Sequence, residues 1–130
     1  MAPTDLELVE MARRAAEQAY APYSGFRVGA AVLTREGDVF TGANVENASY
    51  PVSSCAEATV VAYAVAQGNR AIDTVAVACI DARDVEQAYP CGRCRQILAE
   101  FDTRRILVSV SDGPWREHTL GELLPHRFRL

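Results

Sequence analysis

"CAEATVVAYAVAQGNRAIDTVAVACI", residues 55–80, is the stretch of sequence that decides the fold. Its first part, residues 55–68, has the length of a helix and ends at Gly68, a residue that commonly stops helices. Its last part, residues 74–80, is short, apolar and rich in valine, which is typical of a strand buried on both faces. The stretch therefore predicts a helix followed by a central strand.

Helices and strands alternate on both sides of this stretch. Thr4 or Asp5 can cap a first helix, whose apolar residues recur at helical spacing: Leu8, Met11, Ala12, Ala15 and Ala19. Residues 27–34 and 38–45 read as an antiparallel hairpin, and the later elements are a helix over 91–101, a strand over 105–111 and a short helix over 119–128. This order predicts a three-layer α/β/α sandwich on a mixed sheet, formed by one domain over residues 1–130.

Composition excludes several classes of function. The chain has 130 residues, of which 49% are hydrophobic and 23% charged, as in an ordinary globular domain. Its net charge is -4 without a block of like charges, which argues against a nucleic-acid partner. All 13 basic residues are arginine, so no lysine can form a Schiff base. The first 20 residues lack an apolar run of signal or membrane-spanning length, which predicts a cytoplasmic protein without a membrane partner.

Three of the four cysteines form a pattern typical of a metal site. Cys55 opens one predicted helix, and Cys91 and Cys94 open another as a C-x-x-C, whereas Cys79 lies in an apolar run as a small buried residue. Helix N-termini favour thiolates, and zinc accepts three of them readily. Because His118 and His126 lie far along the chain and no fourth ligand stands at suitable spacing, an open coordination position is expected, as in catalytic zinc sites.

Glu57 stands two residues after Cys55, where its carboxylate can reach an activated water and the substrate atom under attack. A C-x-x-C alone is more often a redox pair or half of a zinc ribbon. The combination of C-A-E at one helix and P-C-x-x-C at the next is far more specific, and it matches the signature of zinc nucleobase deaminases.

The order of several motifs resembles one family over nearly the whole chain. From "YAPYSGFRVGAA" through "GANVENASYPVSSCAE" and "PCGRCRQ" to "ELLPHRF", the sequence is similar to the small three-cysteine cytidine deaminases. The resemblance implies a mixed five-stranded sheet, a homotetramer and one zinc ion per subunit. It also implies a hydrolase of pyrimidine salvage that converts cytidine or deoxycytidine to uridine or deoxyuridine with release of ammonia.

The resemblance also assigns roles to individual residues. It implies that Cys55, Cys91 and Cys94 bind zinc and that Glu57 shuttles protons. Asn44 and Glu46 match the pair that holds the sugar hydroxyl, and residues i and i+2 of an extended segment do point the same way. The remaining positions that match substrate or interface contacts are Phe26 beside the pyrimidine, the backbone of Ala56 at the base, Phe128 from a neighbouring subunit, and Tyr50.

One departure from the family motif affects the charge of the zinc site. Most members continue the first motif as C-A-E-R, where the arginine is thought to neutralise the thiolates, but this chain has Ala58. Arg93, one residue before Cys94, can fold back towards the sulfur atoms and is expected to supply the missing charge. Two alternatives stay open, namely a deaminase of another cytosine nucleoside such as blasticidin S, and a zinc-stabilised pseudoenzyme.

Overall fold

A computed structural model describes residues 1–130 as a five-stranded sheet with four α-helices. The elements, in chain order, are α1 (Asp5–Ala16), β1 (Val28–Thr34), β2 (Val39–Ala43), α2 (Ala56–Ala66), β3 (Ile72–Cys79), α3 (Gly92–Glu100), β4 (Arg105–Ser109), β5 (Arg116–Thr119) and α4 (Leu120–Leu123). Single turns of 3-10 helix cover residues 50–52 and 85–87. None of the helices combines the length and the hydropathy needed to cross a bilayer.

The sheet is mixed, as the sequence predicts. Its strand order is β2-β1-β3-β4-β5, in which β3 and β4 run parallel and every other neighbouring pair is antiparallel. The parallel pair is connected through α3, and β1 and β2 form the predicted hairpin. Because β2 and β3 end where β1 begins, residues just outside these three ends share one edge of the sheet.

Helices cover both faces of the sheet, which confirms the three-layer prediction. Alternate residues of β3 separate the two faces: Val75, Val77 and Cys79 pack with α2 and α3, whereas Ala76 and Ala78 pack beneath α1. The face beneath α1 is thus lined by small side chains, which lets this helix approach the sheet closely.

Gly29 of β1 is the point of closest approach. A Cβ atom at this position would lie 2.0 Å from the carbonyl oxygen of Ala12 and 2.4 Å from the amide nitrogen of Ala16, both in α1. Only glycine fits between this strand and this helix. On the opposite face Gly42 faces α2, where an added Cβ would lie 3.1 Å from the backbone nitrogen of Val60.

Two local predictions differ from the structure. The sequence pattern gives no signal for β5, because this strand is polar and largely exposed and pairs only with β4 at the edge of the sheet. Helix α1 ends at Ala16, so Ala19 lies beyond it. The chain turns away there because the amide of Tyr20 donates a hydrogen bond to the carbonyl of Asn44 and so joins the segment after β2.

Candidate active site

The three cysteines of the predicted metal site meet at two helix N-termini. Cys55 is the N-cap residue of α2 and Cys91 that of α3, both with extended backbone, and Cys94 lies in the first turn of α3. Neither N-cap thiol caps its own helix, so both are free to point elsewhere. The sulfur atoms of all three residues lie within 4.8 Å of one another.

The three thiols perturb one another's ionisation. Hydrogen bonds from Cys94 and then Cys91, together with the positive charge of Arg93, lower the pKa of Cys55 to about 6 against the opposing effect of burial. The hydrogen bond to Cys55 and burial raise the pKa of Cys94 far above its ordinary value. The sulfur atoms therefore share their protons around one ionised thiol.

This donor set fits a zinc ion. Zn–S bonds of about 2.3 Å place tetrahedral ligand sulfurs roughly 3.8 Å apart, so one ion can bind all three with little rearrangement. A bound divalent cation deprotonates its thiol ligands, which removes the competition for protons. No histidine, aspartate or glutamate joins the cluster as a fourth ligand, in agreement with the predicted open position.

Glu57 lies in the first turn of α2 and is nearly enclosed, with only 4% of its surface exposed. Burial, and secondarily the charge of Cys55, raises the pKa of this carboxyl to about 7. A carboxyl group whose pKa is close to neutrality both accepts and donates protons easily. Its carboxyl group accepts a hydrogen bond from the backbone amide of Glu57 itself and from no other residue, which leaves it available to a ligand.

A cavity of about 340 Å³ joins this centre to the predicted substrate residues. Its walls include Cys55, Glu57 and Cys91 from the centre. They also include four residues expected to bind substrate, namely Phe26, Asn44, Glu46 and Ala56. The structure thus brings together positions that are up to 65 residues apart in the sequence, since the sheet edge collects the ends of β1, β2 and β3.

The amide of Asn44 is fixed by the backbone at the start of β1. Its Oδ1 accepts a hydrogen bond from the amide of Val28 at 2.8 Å, and its Nδ2 donates to the carbonyl of Phe26 at 2.9 Å. One Nδ2 hydrogen and one Oδ1 lone pair remain for a ligand. The side chain is therefore already oriented, and its orientation is coupled to the position of Phe26.

The carboxylate of Glu46 is fixed by the turn before β1. Its Oε1 accepts hydrogen bonds from the amides of Tyr23 and Ser24 at 3.0 and 3.1 Å, and its Oε2 accepts one from the hydroxyl of Ser24. These bonds, the hydroxyl bond foremost, lower the pKa of Glu46 and keep it ionised. Sequence reasoning missed Ser24, although the turn "PYSGF" that contains it was recognised.

Besides Cys94, which is fully buried, three predicted residues do not line this cavity. Phe128 is 69% exposed and sits near the chain's end, where its carbonyl accepts a hydrogen bond from Gln96. Tyr50 packs edge-to-face on Tyr23 in a second cavity, which shares Ser24 and Glu46 with the first. Arg93 is exposed and makes no hydrogen bond to a cysteine, although its charge lowers the pKa of Cys55.

Several further residues line the cavity without having been predicted to do so, among them Cys79 and Tyr89. Cys79, expected to be buried, is buried, and its enclosure raises the pKa of the thiol to about 12. Tyr89, which precedes Pro90 and Cys91, forms part of the same wall. A tyrosine in a polar loop gives no signal by which sequence reasoning could find it.

Fold and site together define a class, namely α/β proteins with a three-thiolate zinc centre that is open on one side and adjoins a buried carboxyl group. The model of one family, described as the cytidine and deoxycytidylate deaminase zinc-binding region, matches residues 2–110. The chain belongs to this family.

Individual relatives agree with this assignment. A cytidine deaminase of Halalkalibacterium halodurans is 44% identical over 93% of this chain and 91% of its own length, and one of Mycobacterium tuberculosis is 45% identical over 92% and 85%. The crystal structure of the cytidine deaminase of Burkholderia pseudomallei superposes with a TM-score of 0.90 at 42% identity, covering 97% of this chain and all of that one. A blasticidin-S deaminase of Bacillus cereus matches at 28% identity over 95% and 91%.

Proposed function

We propose that this chain is a cytidine deaminase that hydrolyses the amino group of cytidine or deoxycytidine, and that residues 1–130 act as one catalytic domain. A single observation carries the proposal. The buried carboxyl group of Glu57 and two thiols of the three-cysteine cluster, Cys55 and Cys91, line the same cavity as Asn44 and Glu46, so one nucleoside can contact these residues together. The high identity to cytidine deaminases over most of the chain supports the choice of substrate.

Cys55, Cys91 and Cys94 would hold the zinc ion. When bound, zinc lowers the pKa of a water molecule and so supplies a nucleophile at neutral pH. Glu57 accepts a proton as the water oxygen bonds to the amino-bearing carbon of the pyrimidine. The same carboxyl group returns protons to the substrate as the carbon–nitrogen bond breaks. Of the two water protons, one ends on the ring nitrogen of the uracil product and the other on the released ammonia.

The other cavity residues position the nucleoside. Asn44 and Glu46, both oriented by hydrogen bonds within the chain, offer a donor and acceptors to a sugar hydroxyl. Phe26 offers an aromatic surface for the pyrimidine, and the backbone of Ala56 lies at the N-terminus of α2 beside the base. Because these groups are already oriented, binding loses little of their conformational entropy.

The proposal includes a cytoplasmic homotetramer in which Phe128 and Tyr50 contribute to neighbouring sites. Both aromatic side chains are largely exposed on this chain, at 69% and 70%, so both are available to a neighbouring subunit. Truncation before Phe128 should raise the KM for cytidine and weaken the oligomer while zinc stays bound. Steady-state kinetics and sedimentation measure both effects, and an unchanged KM would remove Phe128 from the site.

The test of the proposed function is zinc content and cytidine absorbance loss measured on one purified sample. Glu57→Gln keeps the shape of the side chain, so fold and zinc should persist. Turnover should fall by about 10² to 10⁴ from the loss of acid–base catalysis alone, and further as water activation suffers. A zinc-loaded protein inactive on cytidine would contradict the proposal, and an active Glu57→Gln variant would contradict the role of Glu57.

Two observations bear on blasticidin S as an alternative substrate. One relative, at 28% identity, is a blasticidin-S deaminase, and Ala58 departs from the C-A-E-R motif of the cytidine deaminases that the sequence resembles. Asn44 and Glu46 favour cytidine, because both line the cavity and would bind a sugar hydroxyl there. Assaying blasticidin S and cytidine side by side distinguishes the two, and turnover of neither would indicate a zinc-stabilised pseudoenzyme.

A further inference from the structure

Tyr89 occupies a place in the site that no part of the proposed mechanism uses. Its half-buried side chain lines the cavity together with Cys55, Glu57 and Cys91, and it stands two residues before Cys91 in the chain. The wall that contains Tyr89 also includes Gln87, the last residue of the 3-10 turn over residues 85–87, and Ala88, which follows that turn. Tyr89 therefore lines the cavity together with two of the predicted zinc ligands.

Hydrogen bonds from outside the cavity fix this ring. The hydroxyl of Tyr89 is hydrogen-bonded to Nε2 of His118 at 2.9 Å, and the two ring centroids lie 5.3 Å apart. Arg116 also donates a bond to the same hydroxyl at 3.4 Å, and its guanidinium is paired with Glu86 at 2.6 Å. Both partners of the hydroxyl belong to β5, the edge strand that has no other evident link to the site.

His118 is itself held in place by a neighbouring carboxylate. Its Nδ1 lies 3.9 Å from a carboxylate oxygen of Glu122, and Glu122 is itself fixed because it forms the capping box of α4 with Thr119. The imidazole thus stands between the tyrosine hydroxyl and a carboxylate with a fixed position. Such a chain of polar contacts restricts where the ring of Tyr89 can move.

The topology places Tyr89 across the cavity from the sugar-binding pair. Phe26 precedes β1 and Asn44 follows β2, on one side of β3, whereas His118 belongs to β5 on the other side. Cys91 lines the cavity with Glu57 and stands two residues after Tyr89. A nucleoside whose sugar lies at Asn44 and Glu46 and whose amino-bearing carbon faces Glu57 therefore has its base on the side of the cavity that Cys91 and Tyr89 share.

Resting on the proposed function, we propose that Tyr89 determines specificity by limiting the size of the substituent tolerated on the amino group of the pyrimidine, and that His118 is the positioning residue that holds its ring. An unsubstituted amino group fits the space beside the ring. An added methyl group on the amino nitrogen meets the ring and is disfavoured.

The experiment compares kcat/KM for cytidine and for cytidine methylated on its amino nitrogen, with zinc content measured for every variant. A methyl-sized difference in a pocket changes selectivity by about 10-fold or more. Tyr89→Ala should therefore lower the preference for cytidine about 10-fold, because the methylated substrate gains room. His118→Ala should lower the preference for cytidine less than Tyr89→Ala does. His118→Gln, which can still form a hydrogen bond with the Tyr89 hydroxyl, should restore that preference.

Matched controls are Tyr63→Ala, which shortens a tyrosine on the outer side of α2, and His126→Ala, which removes an exposed histidine outside the cavity. Both should leave the selectivity ratio unchanged. A merely structural role for Tyr89 would reduce turnover of both substrates equally, and an unchanged ratio in Tyr89→Ala would overturn the inference.

If Tyr89→Ala loses zinc, Tyr89→Phe and the two His118 variants decide the question, and unchanged ratios in all three overturn the inference. Failure of the proposed function has a different signature. In that case the zinc-loaded parent protein deaminates neither substrate, and the inference falls with it.

Discussion

The substitution Gly29→Ala tests how closely α1 and β1 must approach for this fold to form. The new Cβ would lie 2.0 Å from the carbonyl oxygen of Ala12, whereas ordinary contacts begin at 3.4 Å, so the helix must retreat by about 1.4 Å. Both obstructing groups are backbone atoms of α1, which no rotamer change can move aside.

The retreat loosens the packing of fully buried Leu8, Val9 and Ala12 against the sheet. A gap of only 0.5 to 1 Å already forfeits roughly a quarter to a half of the dispersion attraction. Overpacking typically costs about 1 to 3 kcal/mol, and the rigid backbone here places the expected loss near 3 kcal/mol. With a urea m-value of roughly 1.5 kcal/mol/M, the unfolding midpoint should fall by about 2 M.

Urea unfolding of zinc-loaded protein at one fixed protein concentration measures this shift. The control is Gly121→Ala in α4, where an added Cβ has no contact shorter than 4.0 Å, and its midpoint should stay close to that of the parent. Gly29 lies next to Val28, whose amide donates a hydrogen bond to Asn44. A shift of β1 in Gly29→Ala should therefore disturb Asn44 and raise the KM for cytidine. A midpoint equal to that of the control would refute the argument from close approach.

Two further substitutions test the site. Ser24→Ala removes the hydroxyl that contributes most to the lowered pKa of Glu46, so that pKa should rise. The KM for cytidine should increase several-fold at neutral pH, and as the pH is lowered its rise should begin at a higher pH than in the parent protein. Measuring KM and kcat over a series of pH values tests both effects. If KM and its pH dependence match the parent, Glu46 does not depend on Ser24. Arg93→Ala should raise the pKa of Cys55 and lower zinc affinity or turnover, and adding Ala58→Arg should recover part of the loss with a coupling above about 0.5 kcal/mol. If Arg93→Ala changes neither zinc affinity nor turnover, the helix dipoles alone compensate the negative charge of the thiolates.

The apolar pattern predicted most of the fold because most elements bury one or two faces. Residues 74–80 are almost entirely apolar since β3 is covered by helices on both sides, and this places it correctly at the centre of the sheet. The polar strand β5 buries little, so hydrophobic periodicity carries no information about it. Only the family resemblance implied a fifth strand.

The sequence likewise predicts only one part of the candidate site. Cys55, Glu57, Cys91 and Cys94 were found because metal chemistry demands particular residue types at particular spacings. The groups that hold the site together are found only in three dimensions. Nothing in the spacing of Ser24 and Glu46, or of Tyr89 and His118, indicates that their side chains meet, since tertiary packing alone brings these distant positions into contact.

The clustering of three sulfur atoms also bears on how this protein must be handled. Thiols within 4.8 Å of one another can be joined by an oxidant once no metal occupies them, and a disulfide formed there would withdraw two ligands at once. The low pKa of Cys55 makes it the nucleophile that starts such a reaction. Removing the metal in air therefore produces a disulfide-linked form that does not rebind zinc when zinc alone is added. A reductant added before the zinc restores the thiol ligands.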